Sequence, residues 1–114
     1  MTPVRAQSLL WLAQRTSAAL LAVCVVVHLA TMIVAVRGGL TAAEILARTR
    51  GSGAWATFYA LFVLAAAIHA PIGVRTIVAE MRDGHHRAAD GIALLLGALI
   101  VALGARAVVA VTGS

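Results

Sequence analysis

The stretch that decides the fold runs from Thr16 to Val36 and reads TSAALLAVCVVVHLATMIVAV. It carries no formal charge and is bounded by Arg15 and Arg37. As a helix rising about 1.5 Å per residue, a run of roughly twenty apolar residues crosses the ~30 Å hydrocarbon core of a bilayer. We therefore predict a transmembrane helix near residues 8–36. The run is too long for the apolar segment of a cleavable signal peptide, so we expect this helix to be retained.

Two later stretches have the same character. Residues 51–74 carry no charge, and the run from Gly91 to Thr112 is interrupted only by Arg106 near its end. We predict two further transmembrane helices, near 54–81 and near 88–112. A short charged link joins these two helices, so we expect them to be antiparallel neighbours.

The composition supports a membrane protein. Of 114 residues, 62% are hydrophobic and 11% are charged, whereas about a quarter of the residues of a soluble domain are charged. A water-soluble globule is therefore excluded, and we predict an all-α membrane protein with three transmembrane helices in an up-down bundle, formed by one domain, residues 1–114. A chain of this size cannot hold an enzyme core as well as a membrane anchor, so catalytic chemistry is expected to belong to partner subunits.

The charged residues predict topology. The net charge is +5 and every basic residue is an arginine, which indicates contacts with lipid head groups and no nucleic-acid partner. The distribution of the arginines favours a cytoplasmic N-terminus, and we expect the membrane to be a bacterial inner membrane. In the first link, Thr41 and Glu44 have the spacing of a capping box, which predicts a short interfacial helix. The single cysteine, Cys24, excludes an internal disulfide.

Two histidines lie at membrane depth, where ionisable groups are costly and usually face protein. Counting about 1.5 Å per residue, His28 lies about 20 Å beyond Arg15 and His69 about 16 Å before Glu80, so we expect similar depths for both rings. On a helical wheel, each histidine shares its face with the few polar or small residues of its helix. These residues are Gln14, Ser17, Cys24 and Thr31 with His28, and Gly73, Thr76 and Glu80 with His69.

A neutral imidazole in this setting, with arginines one or two turns nearer the surface, suits axial ligation of haem iron with its propionates on guanidinium groups. The alternative is that each histidine only forms a hydrogen bond between helices. The residues by themselves leave both interpretations open.

Two short motifs resemble one family. The run His69-Ala-Pro-Ile-Gly73-Val-Arg75, followed by Glu80, resembles the His-x-x-x-Gly-x-Arg pattern with a trailing acid in the membrane-anchor subunits of succinate dehydrogenase and fumarate reductase. In the first helix, the run from Gln14 to Ala18, QRTSA, is similar to the His-Arg-x-Ser-Gly stretch near the quinone of that family. The three-helix length agrees as well.

The resemblance implies haem b and a quinone as ligands, the quinone being ubiquinone or menaquinone. It makes His69 an axial ligand of the haem iron, and His28 is similar to the first-helix histidine of two-haem members. The implied propionate contacts are Arg15, Gln14 and Arg75, and the implied quinone contacts are Arg15, Ser17, Trp11 and Glu80. The chain departs from the family pattern at three positions: Gln14 replaces a histidine, Trp11 replaces a serine found in some members, and Glu80 replaces the usual aspartate.

The resemblance further implies a cytochrome b anchor that takes part in electron transport in the tricarboxylic acid cycle, or in fumarate reduction. Such a subunit has no catalytic residues of its own. It docks a flavoprotein subunit and an iron–sulfur subunit, and a second anchor subunit or a second copy supplies the remaining haem ligand. The alternatives are a haem-free structural anchor of the same complex and a small transport subunit with a proton path through His28, His69 and Glu80.

Overall fold

The computed structural model describes residues 3–81 and 86–113, and this part of the chain is helical apart from short connections. Its helices are α1 (Val4–Arg37), α2 (Ala42–Thr49), α3 (Gly53–Met81) and α4 (His86–Thr112). Three of them, α1, α3 and α4, are long and apolar enough to cross a membrane. The predicted all-α membrane architecture is therefore confirmed, and the molecule measures 52 × 23 × 22 Å.

The ends of the helices differ slightly from the predicted ones. α1 begins at Val4 because Pro3 occupies the N-cap position, where its fixed φ and missing N–H do no harm. The first turn of α1 contains Arg5 and Gln7, so hydrophobicity alone does not reveal it. α4 begins at His86, whereas residues 82–85, which form most of the predicted charged link, lie outside the described residues.

α2 begins with the predicted capping box. The backbone N–H of Glu44 donates to Thr41 Oγ1 at 3.2 Å, and the backbone N–H of Thr41 donates to Glu44 Oε2 at 2.7 Å. Each side chain thus satisfies a backbone donor that the first turn leaves without a helical partner.

The other end of α2 is attached to the end of α4. The Thr49 hydroxyl donates to the carbonyl oxygen of Val111 at 2.6 Å. The backbone N–H of Gly51 donates to the carbonyl oxygen of Thr112 at 3.0 Å. These bonds hold α2 across the end of the bundle opposite the N-terminus.

α3 and α4 are antiparallel neighbours, as predicted, and they meet through small residues. Gly104 lies against Val63 and Gly97 lies against Pro71, so positions rise along α4 as they fall along α3. Ala93 continues the same face of α4 and is buried. Small residues let the two backbones approach closely, which matters in lipid because no hydrophobic effect drives apolar helices together.

α1 packs on a different face of α3 through its polar side chains. The buried residues of α1 are Ser17 and Cys24, and Gln14, His28 and Thr31 are half-buried. Large apolar residues on the other faces of α1 remain exposed. The expectation that the polar stripe of this helix faces protein and not lipid is therefore confirmed.

The contact between Gly104 and Val63 predicts that adding a single methyl group at Gly104 lowers the stability of the bundle. A Cβ at Gly104 would lie 2.5 Å from Val63 Cγ1, so we expect Gly104→Ala to destabilise the bundle by about 1–3 kcal/mol through overpacking. The measurement is thermal unfolding in mild detergent, followed by circular dichroism. The matched control is Gly91→Ala in the same helix, where a Cβ meets open space and helix propensity favours alanine by about 1 kcal/mol. Equal unfolding temperatures for the two variants would contradict the prediction, and Val63→Ala should rescue Gly104→Ala.

The capping box predicts a pH dependence for α2. The two hydrogen bonds from Thr41 lower the pKa of Glu44 below its usual value, and the nearby Arg48 acts in the same direction. A lowered pKa means that the cap stabilises α2 above the ordinary pKa of glutamate and is lost as pH falls through the lowered pKa. NMR titration of the Glu44 carboxyl should show the shift, and Thr41→Val should move the pKa back towards its usual value. An unchanged midpoint in that variant would rule out a contribution from the hydroxyl, since the backbone N–H at this position still donates to Glu44.

Candidate functional site

The first candidate site lies where α1 and α3 meet, towards the N-terminal end of α1. Gly73 follows His69 by four residues, which places both on one face of α3. A Cβ at Gly73 would lie 3.4 Å from Nε2 of Gln14, so the amide of Gln14 packs over the glycine. The imidazole therefore lies about one helical turn deeper than an amide group from the neighbouring helix.

This site contains polar atoms without partners. Gln14 Oε1 and His69 Nδ1 are both buried, and neither atom has a hydrogen-bond partner within the described residues. Leaving such an atom unpaired costs about 1–3 kcal/mol, and native structures usually satisfy it with a ligand, water or another chain. The pair of unpaired atoms, one turn apart, indicates a site that a further molecule completes.

The second histidine lies in an aromatic environment. The ring of His28 meets the rings of Tyr59 and Phe62 edge-on, with centroids 6.0 Å and 5.7 Å apart. Trp55 and Phe58 extend this cluster along α3. His28 Nδ1 is also buried without a hydrogen-bond partner in the described part of the chain.

The expectation of similar depths for the two histidines is wrong. His28 lies beside Phe62, and His69 follows Phe62 by seven residues, which is about 10 Å along the helix. That expectation requires Arg15 and Glu80 to lie at the same level of the bundle. Gln14, however, lies beside Gly73, seven residues before Glu80. The two imidazoles of one chain therefore lie at different levels of the bundle, with His69 nearer its N-terminal end.

The four predicted quinone contacts are only partly brought together. The guanidinium carbon of Arg15 lies 5.1 Å from the ring centroid of Trp11, and both residues are exposed on an outer face of α1. Ser17 is buried against α3 and its hydroxyl donates to the carbonyl oxygen of Gln14 at 3.1 Å. Glu80 is exposed on α3, about 10 Å nearer the N-terminal end of the bundle than Arg15.

Arg75 has a partner that the sequence did not identify. Its Nε donates to Oδ1 of Asp90 at 2.5 Å, with side chains that are 30% and 52% exposed. The guanidinium of Arg75 is therefore directed towards α4, whereas α1 packs on a different face of α3. The feature of the sequence that could have predicted this ion pair is the antiparallel pairing of the two helices, because it brings the start of α4 level with the last turns of α3.

The described residues contain no cluster of three or more histidine, cysteine or acidic side chains that could hold a bare metal ion. A haem iron has a different requirement, because the porphyrin provides four nitrogen ligands and the protein provides only the axial ones. One imidazole without a hydrogen-bond partner is therefore enough for this chain to be able to provide one axial ligand.

The comparisons identify the family. The sequence model of the succinate dehydrogenase/fumarate reductase transmembrane subunit matches residues 2–110, which include α1, α2 and α3 and nearly all of α4. No curated protein and no solved structure matches the chain. With three helices able to span a bilayer and a family match over almost its full length, the chain is an integral membrane protein that belongs to the succinate dehydrogenase/fumarate reductase transmembrane subunit family.

Proposed function

We propose that the chain is the haem b-binding anchor subunit of a succinate:quinone oxidoreductase. It docks the flavoprotein and iron–sulfur subunits to the membrane and forms part of the quinone site. The observation that supports haem binding best is the imidazole of His69, whose buried Nδ1 has no hydrogen-bond partner among the described residues. Family membership supports the remainder of the proposal.

The residues at this site fit a haem. His69 would provide one axial ligand at depth, one turn from Gly73, which the amide of Gln14 covers. Gln14 and Arg15 lie about one turn nearer the membrane surface, where an amide N–H and a guanidinium can donate to the propionates. Arg75 would join them only after leaving Asp90, so we assign the propionates to the first two residues. Bound there, the haem would supply a one-electron centre close to the quinone site.

The first site needs another axial ligand, and His28 is offset from His69 by about 10 Å along the bundle. We propose that a second anchor subunit or a second copy of this chain provides it. The alternative for His28 is that it binds a separate, second haem, and the observation behind it is that His28 Nδ1 is buried without a hydrogen-bond partner in the described part of the chain.

Arg15 and Trp11 are our candidates for the quinone contact. A guanidinium stabilises a carbonyl oxygen whose negative charge grows as the quinone is reduced, and the indole offers a flat apolar surface. Both face outwards, where a quinone dissolved in lipid can reach them and a partner subunit can close the site. Ser17 and Glu80 lie on other faces, so we assign Glu80 to proton delivery through water and Ser17 to a supporting position.

This arrangement has a consequence for topology. The soluble subunits must approach the end of the bundle that carries Arg15 and Trp11, which is the N-terminal end. We therefore propose that the N-terminus faces the cytoplasm of a bacterium and that the chain lies in the inner membrane, in agreement with the arginine distribution.

The haem assignment is tested by the spectrum of the purified complex. We expect the dithionite-reduced complex to show a b-type band that His69→Ala abolishes, with the pyridine-haemochrome assay giving the haem content per chain. The matched control is His86→Ala, which removes a histidine at the exposed start of α4 and should retain the band. An unchanged band in His69→Ala would contradict the proposal.

Two further outcomes of this assay discriminate between the remaining possibilities. Loss of half the haem in His28→Ala supports a second haem, whereas an unchanged content leaves His69 as the only ligand in the chain. A complex that contains no haem but retains the flavoprotein would instead support the haem-free anchor.

The quinone contact is tested by Arg15→Gln. We expect succinate-dependent quinone reduction to fall about a hundredfold, as for the loss of one donor to a developing oxyanion. Succinate oxidation by a soluble dye should stay unchanged, because it takes place in the soluble subunits. Arg5→Gln removes the same charge at the same end of α1 and is the matched control. If both variants reduce quinone equally well, Arg15 is not a quinone contact.

A further inference from the structure

We propose that the chain binds an anionic phospholipid at the end of the bundle opposite Arg15, with the lipid phosphate on Arg48. The site is a groove of about 380 Å³ between the end of α1, α2 and the start of α3, which we call the α2 groove. It begins at His28, and its lining includes Ala35, Ile45, Arg48, Trp55 and Tyr59.

The shape of the α2 groove suits an acyl chain. Along α1 it extends from His28 to Ala35, a distance of about 10 Å parallel to the helix axis. Its walls are almost entirely apolar, with Ile45 from α2 and the stacked rings of Trp55 and Tyr59 from α3.

The charge at the mouth of the groove selects an anionic head group. Arg48 is exposed, and within the described residues it makes no hydrogen bond and no ion pair. The nearest acid along α2, Glu44, already accepts the N–H and the hydroxyl of Thr41. The guanidinium of Arg48 thus keeps its donors for a phosphate, and Arg37 adds positive charge at the same end. Basic pockets of this kind between helices bind anionic lipid head groups.

The mouth of the groove is also rigid. The capping box holds the first turn of α2, and the bond from the Thr49 hydroxyl to the carbonyl oxygen of Val111 holds the last turn against α4. Arg48 precedes Thr49 directly, so its backbone position is set before a lipid arrives. Less ordering is then required on binding, which favours retention of the lipid.

The experiment compares lipid retention by the purified full-length chain in its complex, using native mass spectrometry. The probes are phosphatidylglycerol and phosphatidylcholine, supplied in equal amounts. We expect wild type to retain phosphatidylglycerol, and Arg48→Gln to retain it about fivefold less, the effect of losing one basic residue near a head group. The matched control is Arg50→Gln, which removes the same charge two residues away, outside the groove lining, and should retain the lipid.

A second variant tests the groove independently of the charge. Ala35→Phe fills the apolar part while leaving Arg48 intact, and it should reduce retention of phosphatidylglycerol in a complex whose helicity is unchanged. Equal retention in Arg48→Gln and Arg50→Gln, or equal binding of the two lipids to wild type, would overturn the proposal. So would a b-type band lost in both His28→Ala and Ala35→Phe, because a haem and not a lipid would then occupy the groove.

Discussion

The contact between α1 and α3 is the constraint on which the other features depend. Gln14 lies over Gly73, and His28 lies against Phe62. Because an α-helix rises by about 1.5 Å per residue without much variation, two contacts between the same pair of helices determine which residues are level along their whole length. The separation of His28 from His69 follows directly from this register.

The lipid that surrounds the helices explains why so little of the chain is buried. It also explains why the few buried polar atoms indicate where a ligand or another subunit binds. Among the described residues, the buried apolar ones are Cys24 and three alanines, whereas many large apolar side chains are exposed. Lipid accepts those side chains without cost, but it cannot pair with a polar atom. The unpaired atoms of Gln14, His28 and His69 therefore show where this chain is incomplete by itself and where a ligand or another subunit is expected.

Several features could be predicted because they depend on neighbouring residues along one helix. The three spans follow from charge-free runs of sufficient length, and the capping box follows from the spacing of Thr41 and Glu44. The inward polar stripe of α1 follows from helical periodicity. The pairing of Arg75 with Asp90, the attachment of Thr49 to α4 and the groove beside Arg48 join residues from different helices, so no single segment contains the information.

The candidate site likewise has some features that the sequence predicts and others that only the tertiary structure shows. The sequence by itself determined the family, the membrane-spanning helices and the residue types that carry chemistry, because composition, spacing and short motifs are local properties. Only the tertiary structure decided that Arg15 joins Trp11 while Ser17 and Glu80 lie elsewhere, and that His28 and His69 lie at different depths. The depth of a side chain and the direction in which it points depend on how one helix is shifted and rotated against another. Side-chain packing between the helices sets that shift and rotation, and the hydrophobic periodicity of a single helix does not contain this information.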